Sequence, residues 1–189
     1  MENLLVHDVR LEGRTPRGMA RHKLDVHGYT PTTRVIASIS SYAHSRNRLD
    51  NLIVMCHGYE TGIEDRGAQM STYACGYGLQ LGHHGLTFDN VYITGQLKGF
   101  VSKITLFACG PANTRTGYEN TSGDGMRFCG ELALYSGATV IAAVESQYYY
   151  HTPNWWDKLT GQTGEIDFGP WEGPVYSFSP DDGTATRIT

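Results

Sequence analysis

The chain has 189 residues, a length typical of one domain, and its 40% hydrophobic and 18% charged content excludes a wholly disordered protein. The formal net charge is −4 and no stretch is strongly basic, which argues against a nucleic-acid-binding protein. No segment approaches the roughly 20 apolar residues that cross a bilayer, the N-terminus lacks a signal-peptide core, and the four cysteines form no CxxC pair. We therefore expect a cytoplasmic protein in a reducing compartment, without a membrane segment.

The first third of the chain predicts several strands. Residues 1–33 contain two short apolar alternations, LLVHDVRL and HKLDVHGY, which indicate two short strands or an irregular arm. The stretch RVIASIS, residues 34–40, has the β-branched composition of a strand. NLIVMC, residues 51–56, is a continuous apolar run typical of a strand covered on both faces. The polar, glycine-rich connection that follows is too long for an ordinary turn.

The middle of the chain predicts strands that alternate with helices. LQLGHHGLTFDNVYITGQLKGF indicates a short strand, a turn and a helical segment capped by Thr87 or Asp89. KITLFAC predicts a buried strand that ends at Cys109, and a polar loop follows it. DGMRFCGELALYSGA has the apolar spacing of a helix, with Asp124 as its N-cap and Gly137 at its end. TVIAAV predicts the fourth buried strand.

This succession predicts an α/β fold with a mostly parallel sheet flanked by helices on both faces. Near the C-terminus, PVYSFSP and TATRIT flank the turn DDG, which predicts a β-hairpin that extends the sheet. We expect a single domain over residues 1–189, with an N-terminal arm over 1–33, a core over 34–150 and a C-terminal extension over 151–189.

His57 and Cys109 each follow the end of a buried strand. Open α/β sheets bind ligands at the carboxyl ends of their strands, so parallel neighbouring strands would bring an imidazole base and a thiol nucleophile to one rim. Gly58 permits a tight turn, and the amides of Gly58 and Cys109 are candidate oxyanion donors. A single cysteine of this kind is more often a core residue and a single histidine a loop residue, but the pair favours a catalytic dyad.

The motifs LIVMCHG and ITLFACG, about fifty residues apart, resemble those of the caspase-like superfamily of cysteine peptidases, with bacterial CHAT-like domains the most similar. The resemblance covers roughly residues 34–150, including GDG and GATVIAAV. It implies a caspase-like fold and an endopeptidase that forms a thioester, with His57 as base, Cys109 as nucleophile and the Gly58 amide in the oxyanion hole. No cofactor or catalytic metal is implied. The position two residues before Cys109 is Phe107 in this sequence, whereas several members of the superfamily have a polar or acidic residue there that lines the S1 pocket.

Residues that bind substrate are predicted after the strand TVIAAV. Glu145 follows this strand at the expected rim of the sheet, where its carboxylate would suit a Lys or Arg at P1. The alternative is that Glu145 is an exposed acid at a strand end and does not bind substrate. Asp50 and Asp124 are weaker candidates for the same role. The aromatic block QYYYHTPNWW would wall a groove or pack a sheet edge, and we expect Tyr148 or Tyr150 near the cleft.

The resemblance also implies a protein or peptide substrate and an activating partner protein, with activation or self-cleavage in loops 59–78 and 110–123. Two other functions stay open: a catalytically silent caspase-like binding or scaffold module, and a different thiol hydrolase with a narrow acyl pocket. A zinc site built from Cys56, His57, Cys75 and Cys109 is a further alternative. It is disfavoured because adjacent strand residues point to opposite faces.

Overall fold

The computed structural model describes residues 1–58 and 76–189, and at its centre is a seven-stranded sheet. The elements in chain order are β1 (Asn3–Asp8), β2 (His22–Val26), α1 (Thr32–Ser45), β3 (Asn51–Met55), β4 (Gly78–Leu79), β5 (Leu86–Thr87), a 3₁₀ helix (Val91–Leu97), β6 (Lys103–Phe107), α2 (Gly125–Ser136), β7 (Thr139–Ala143), α3 (Trp155–Thr160), β8 (Val175–Phe178) and β9 (Ala185–Arg187).

The strand order in the sheet is β2-β1-β3-β6-β7-β8-β9, while β4 and β5 form a separate antiparallel pair. In this sheet, the neighbouring strands from β2 to β7 pair in parallel, and β8 and β9 add an antiparallel hairpin. The predicted α/β class, the mostly parallel sheet and the C-terminal hairpin are therefore confirmed. Of the two structures predicted for the N-terminal residues, the two short strands are confirmed, and β1 lies inside the sheet between β2 and β3.

Helix α1, the 3₁₀ helix and helix α2 cover one face of the sheet. Val54 and Leu106 point to this face, which we call the helix face, where they join one buried cluster with residues of α1, the 3₁₀ helix and α2. The opposite face, which carries Ile53 and Met55 and which we call the loop face, is covered mainly by the loop residues Leu11, Ile166 and Phe168. That cluster has no helical member among the described residues, so the prediction of helices on both faces is not confirmed.

The strand predicted over residues 34–40 is wrong, because this stretch lies in helix α1. Its β-branched residues indicated a strand, but the buried positions Val35, Ile36, Ile39 and Ala43 recur with the period of a helix. The pattern that decides the structure is therefore the spacing of apolar side chains, which packs one side of α1 on the helix face.

Two predicted helix starts have different outcomes. The 3₁₀ helix begins after Asn90, and neither Thr87 nor Asp89 caps it; instead, the Asn90 side chain accepts a hydrogen bond from the Thr87 N–H at 2.8 Å. Asp124 does cap α2, since its carboxylate accepts a hydrogen bond from the Arg127 N–H. The predicted end of α2 at Gly137 is also confirmed, because this glycine has the left-handed φ of 63°.

The carboxyl of Asp124 is held by several donors. Burial alone would raise its pKa, but hydrogen bonds from the N–H groups of Asn120 and Arg127 and from the Thr114 hydroxyl outweigh burial, and the pKa is lowered. Asp124 thus fixes the loop after Cys109 and acts as a structural cap. Across the described ranges 1–58 and 76–189, no helix has the length and apolar character needed to cross a membrane.

Candidate active site

The sheet places the two motif ends side by side. Strands β3 and β6 are parallel neighbours with Met55 opposite Phe107, and the Cys56 N–H donates to the Phe107 carbonyl at 3.2 Å. His57 and Cys109 each lie two residues beyond that pair, so both fall on the loop face at the carboxyl end of the sheet. The imidazole and the thiol therefore lie at one rim of the sheet.

Gly58 makes the close approach of the two strand ends possible. A Cβ added to this glycine would lie 2.0 Å from the carbonyl oxygen of Cys109 and 3.2 Å from its Cβ. Real Cβ atoms essentially never come within 3.0 Å of another heavy atom, so no larger residue fits here without moving the backbone. Gly58 is thus required by packing against Cys109, whatever its amide does in catalysis.

The imidazole of His57 is oriented by a backbone carbonyl. Its Nε2 lies 3.1 Å from the carbonyl oxygen of Arg10, and the ring of Tyr149 approaches it edge-on with centroids 6.4 Å apart. A neutral imidazole that donates from Nε2 carries its lone pair on Nδ1. The Arg10 carbonyl therefore favours the tautomer in which Nδ1 is the base.

Arg10 is itself fixed by an ion pair with a buried carboxylate, which the sequence analysis missed. The carboxylate of Asp8 is almost fully buried and accepts hydrogen bonds from Arg10 Nε at 2.8 Å and Nη2 at 2.7 Å. Arg10 Nη2 also donates to the carbonyls of Gln80 and Gly82, and the Gly82 N–H donates to Asp8. Asp-Val-Arg at a strand end is an ordinary sequence, and only the fold reveals that this cluster supports His57.

The described cysteines differ sharply in their surroundings. Cys56 and Cys129 are buried in the helix-face cluster, and burial raises the pKa of both thiols strongly. Cys109 is partly exposed at the rim. Because a thiol needs access and ionisation to react, Cys109 is the described cysteine best placed for chemistry. Cys75 lies outside the described residues.

The predicted substrate residues lie on the surface. Glu145 is exposed, and its carboxylate rests against Gly173, where an added Cβ would lie 2.5 Å from its Cδ. Tyr148 and Tyr150 are 67% and 69% exposed. The tyrosine beside His57 is the one between them, Tyr149, which the alternation of a strand-like segment could have singled out.

Tyr149 connects His57 to the loop-face cluster. Its ring centroid lies 5.8 Å from that of Phe168, and burial raises the pKa of its hydroxyl, with smaller contributions from the charges of Glu12 and Cys109. Asp50, the other weak candidate, precedes β3 and accepts the Glu2 N–H at 2.7 Å, so it lies at the end of the sheet opposite His57. The activation loop predicted over 59–78 falls almost entirely outside the described residues, which resume at Gly76.

A cavity of about 570 Å³ opens on the loop face next to this rim. Three aromatic side chains, an ion pair between Arg14 and Asp157, and two further acids line it. The aromatic residues are Phe107, Tyr150 and Phe168, and the two further acids are Glu165 and Asp167. Sequence reasoning did not find it, because its walls come from segments more than 140 residues apart.

The chain was compared with protein-family models, with curated proteins and with solved structures, and none of the three comparisons found a match. Within residues 1–58 and 76–189, no group of three or more His, Cys, Asp or Glu side chains could hold a metal ion. Cys56 and His57 point to opposite faces of the sheet, as their neighbouring positions require.

Proposed function

We propose that this protein is a cysteine endopeptidase of the caspase-like superfamily, with His57 and Cys109 as its catalytic dyad. The observation that carries the proposal is the position of these two residues beyond the ends of adjacent parallel strands, on one face of the sheet. The Arg10 carbonyl, which holds His57 Nε2, and the partial exposure of Cys109 support it further.

The chemistry follows from these positions. His57 Nδ1 accepts the thiol proton of Cys109, and the thiolate attacks the carbonyl carbon of the scissile peptide bond. The amides of Gly58 and Cys109 stabilise the resulting oxyanion. The C–N bond then breaks, the leaving amine takes the proton from His57, and a thioester remains on Cys109.

Hydrolysis of the thioester completes the cycle. His57 removes a proton from a water molecule, whose oxygen attacks the thioester carbonyl. The C–S bond breaks, a carboxylic acid leaves, and Cys109 regains its proton from His57. Every proton transfer uses the same imidazole nitrogen, so the orientation imposed by the Arg10 carbonyl serves both halves of the reaction.

Labelling with peptidyl acyloxymethyl ketones tests the proposal, because these compounds alkylate an activated thiol. The native protein is incubated with the probes, and peptide mass spectrometry locates the adduct. We expect selective modification of Cys109, slowed by about 100-fold or more in His57→Ala, the usual contribution of a general base. His27→Ala is the control, because His27 is an exposed histidine that follows β2, separated from β3 by strand β1, and it stacks on Tyr29.

Two results would contradict the dyad. One is labelling of Cys109 at the same rate in wild type and His57→Ala, which would show an accessible but unactivated thiol. The other is no labelling of Cys109, or equal labelling of Cys75. Either result would favour the catalytically silent binding module, which keeps the fold without turnover.

A further inference from the structure

The cavity on the loop face lies within reach of a substrate bound at Cys109. Phe107, which lines it, is the last residue of β6 and precedes Cys109 by two residues, so the two Cα atoms are at most about 7 Å apart. Phe168, a second wall, contacts Tyr149, which in turn contacts His57. A side chain of a few ångströms' length that points from the scissile residue into the sheet would enter this space.

The charges of the cavity do not cancel. Asp157 forms an ion pair with Arg14, so these two groups neutralise each other. Glu165 and Asp167 form no ion pair with any described residue. One oxygen of each accepts a backbone N–H, from Arg17 at 2.7 Å and from Gly169 at 2.8 Å respectively. The cavity thus presents two uncompensated carboxylates.

The remaining walls suit a long, partly apolar cation. Phe107, Tyr150 and Phe168 present aromatic rings to the cavity. Aromatic faces pack against the methylene stems of Lys and Arg and attract their charged ends. The volume of about 570 Å³ lies within the roughly 300–1,000 Å³ typical of ligand pockets, so an arginine side chain fits with room for water.

We propose that this cavity binds the Lys or Arg side chain of the substrate residue that precedes the scissile bond, with Glu165 and Asp167 as the carboxylates that recognise its charge. This assignment rests on the proposed endopeptidase function and names its substrate class. It assigns the recognition to a different acid from the sequence analysis, because Glu145 does not line the cavity.

The test compares acyloxymethyl ketone probes of one peptide sequence that carry arginine, lysine, norleucine or citrulline at P1. Citrulline has nearly the shape of arginine without its charge, so the ratio of the arginine rate to the citrulline rate isolates charge recognition. We expect this ratio for Cys109 labelling to be about ten or more, as for one charge-assisted hydrogen bond. In the double variant Glu165→Gln/Asp167→Asn, we expect the ratio of the arginine rate to the citrulline rate to fall toward one.

Two further variants identify the residues responsible. Asp182→Asn is the matched control, because Asp182 also accepts the N–H of the residue two positions on, Thr184, but lies in the β8–β9 turn; its ratio should equal that of the wild type. A ratio that survives the Glu165/Asp167 change but falls in Glu145→Gln would overturn the assignment in favour of Glu145.

The failure of this proposal differs from the failure of the dyad. His57-dependent labelling of Cys109 by the citrulline and norleucine probes, with no preference for arginine or lysine, would keep the peptidase and refute the cavity assignment. An absence of Cys109 labelling by every probe would refute both. Far-UV circular dichroism melts of each variant show whether a lost ratio accompanies a folded protein.

Discussion

Replacement of Gly58 by alanine tests the contact between the two strand ends. The added Cβ would lie 2.0 Å from the Cys109 carbonyl oxygen, so the two backbones must separate by about 1 Å to reach even 3.0 Å. Overpacking of this kind costs about 1–3 kcal/mol, and the neighbouring bond from the Cys56 N–H to Phe107 would add about 1 kcal/mol if it is lost. We expect a loss of about 2–4 kcal/mol in the free energy of unfolding, or about 5–15 °C in Tm.

Gly95→Ala is the matched control for this experiment. Gly95 lies in the 3₁₀ helix without a positive φ, and the nearest atom to an added Cβ is the Tyr135 carbonyl oxygen at 3.9 Å. Its alanine variant should therefore unfold at or slightly above the wild-type temperature. Urea and thermal unfolding measure stability, and acyloxymethyl ketone labelling measures the site, where we expect at least about a tenfold loss in Gly58→Ala. Equal stability of the two alanine variants would refute the close approach of β3 and β6.

Three other outcomes are expected. Asp124→Ala should cost about 1–2 kcal/mol at pH 7, because it removes the N-cap of α2. The folded pKa of this carboxyl is lowered, so the stabilisation by its charge is complete above the unfolded pKa near 4 and is lost as pH falls through the folded pKa; the difference in stability between wild type and variant should therefore be smaller in melts at pH 3 than at pH 7. Asp8→Asn should cost about 1–3 kcal/mol in urea unfolding, because the buried Asp8 carboxylate accepts charge-assisted hydrogen bonds from the half-buried Arg10 side chain; an unchanged free energy of unfolding would contradict this contribution of the pair. Iodoacetamide at pH 8 should modify Cys109 in the native protein and reach Cys56 and Cys129 only after unfolding, because burial raises the pKa of both thiols; native modification of either would disprove that burial.

The buried strands β3 and β6 could be predicted from the sequence because each apolar run ends at a recognisable boundary. NLIVMC and KITLFAC have too many consecutive apolar residues for a strand with one wet face, and both are parallel strands inside the sheet. The stretch over residues 34–40 failed for the opposite reason. Its composition favours a strand, and its helical spacing becomes convincing only when the buried positions of the whole helix, from Thr32 to Ala43, are known.

The site could be predicted only where its residues terminate strands. His57, Gly58 and Cys109 can be picked out in the sequence because they follow apolar strands. The group that orients His57 is the backbone carbonyl of Arg10, and every residue type has such a carbonyl, so the sequence gives no signal for it. The cavity could not be predicted from the sequence either, since residues near Arg14 and residues of the segment 150–169 line it together. Contacts between distant loops depend on tertiary packing, and no local pattern encodes them.

The loops that cover one face of the sheet and the positions of His57 and Cys109 are connected. Alternation along β3 and β6 sends Cys56 and Ala108 into the helix-face core, and the next residue of each strand to the opposite side. The short helix α3 contributes Asp157 to the cavity wall on that opposite side, but no helical residue of the described chain joins the apolar cluster there. Loop residues cover that face instead, and they leave both a partly exposed Cys109 and a cavity of about 570 Å³ beside it. The face covered mainly by loops is therefore the face with open space next to Phe107, where the proposed peptide substrate would bind.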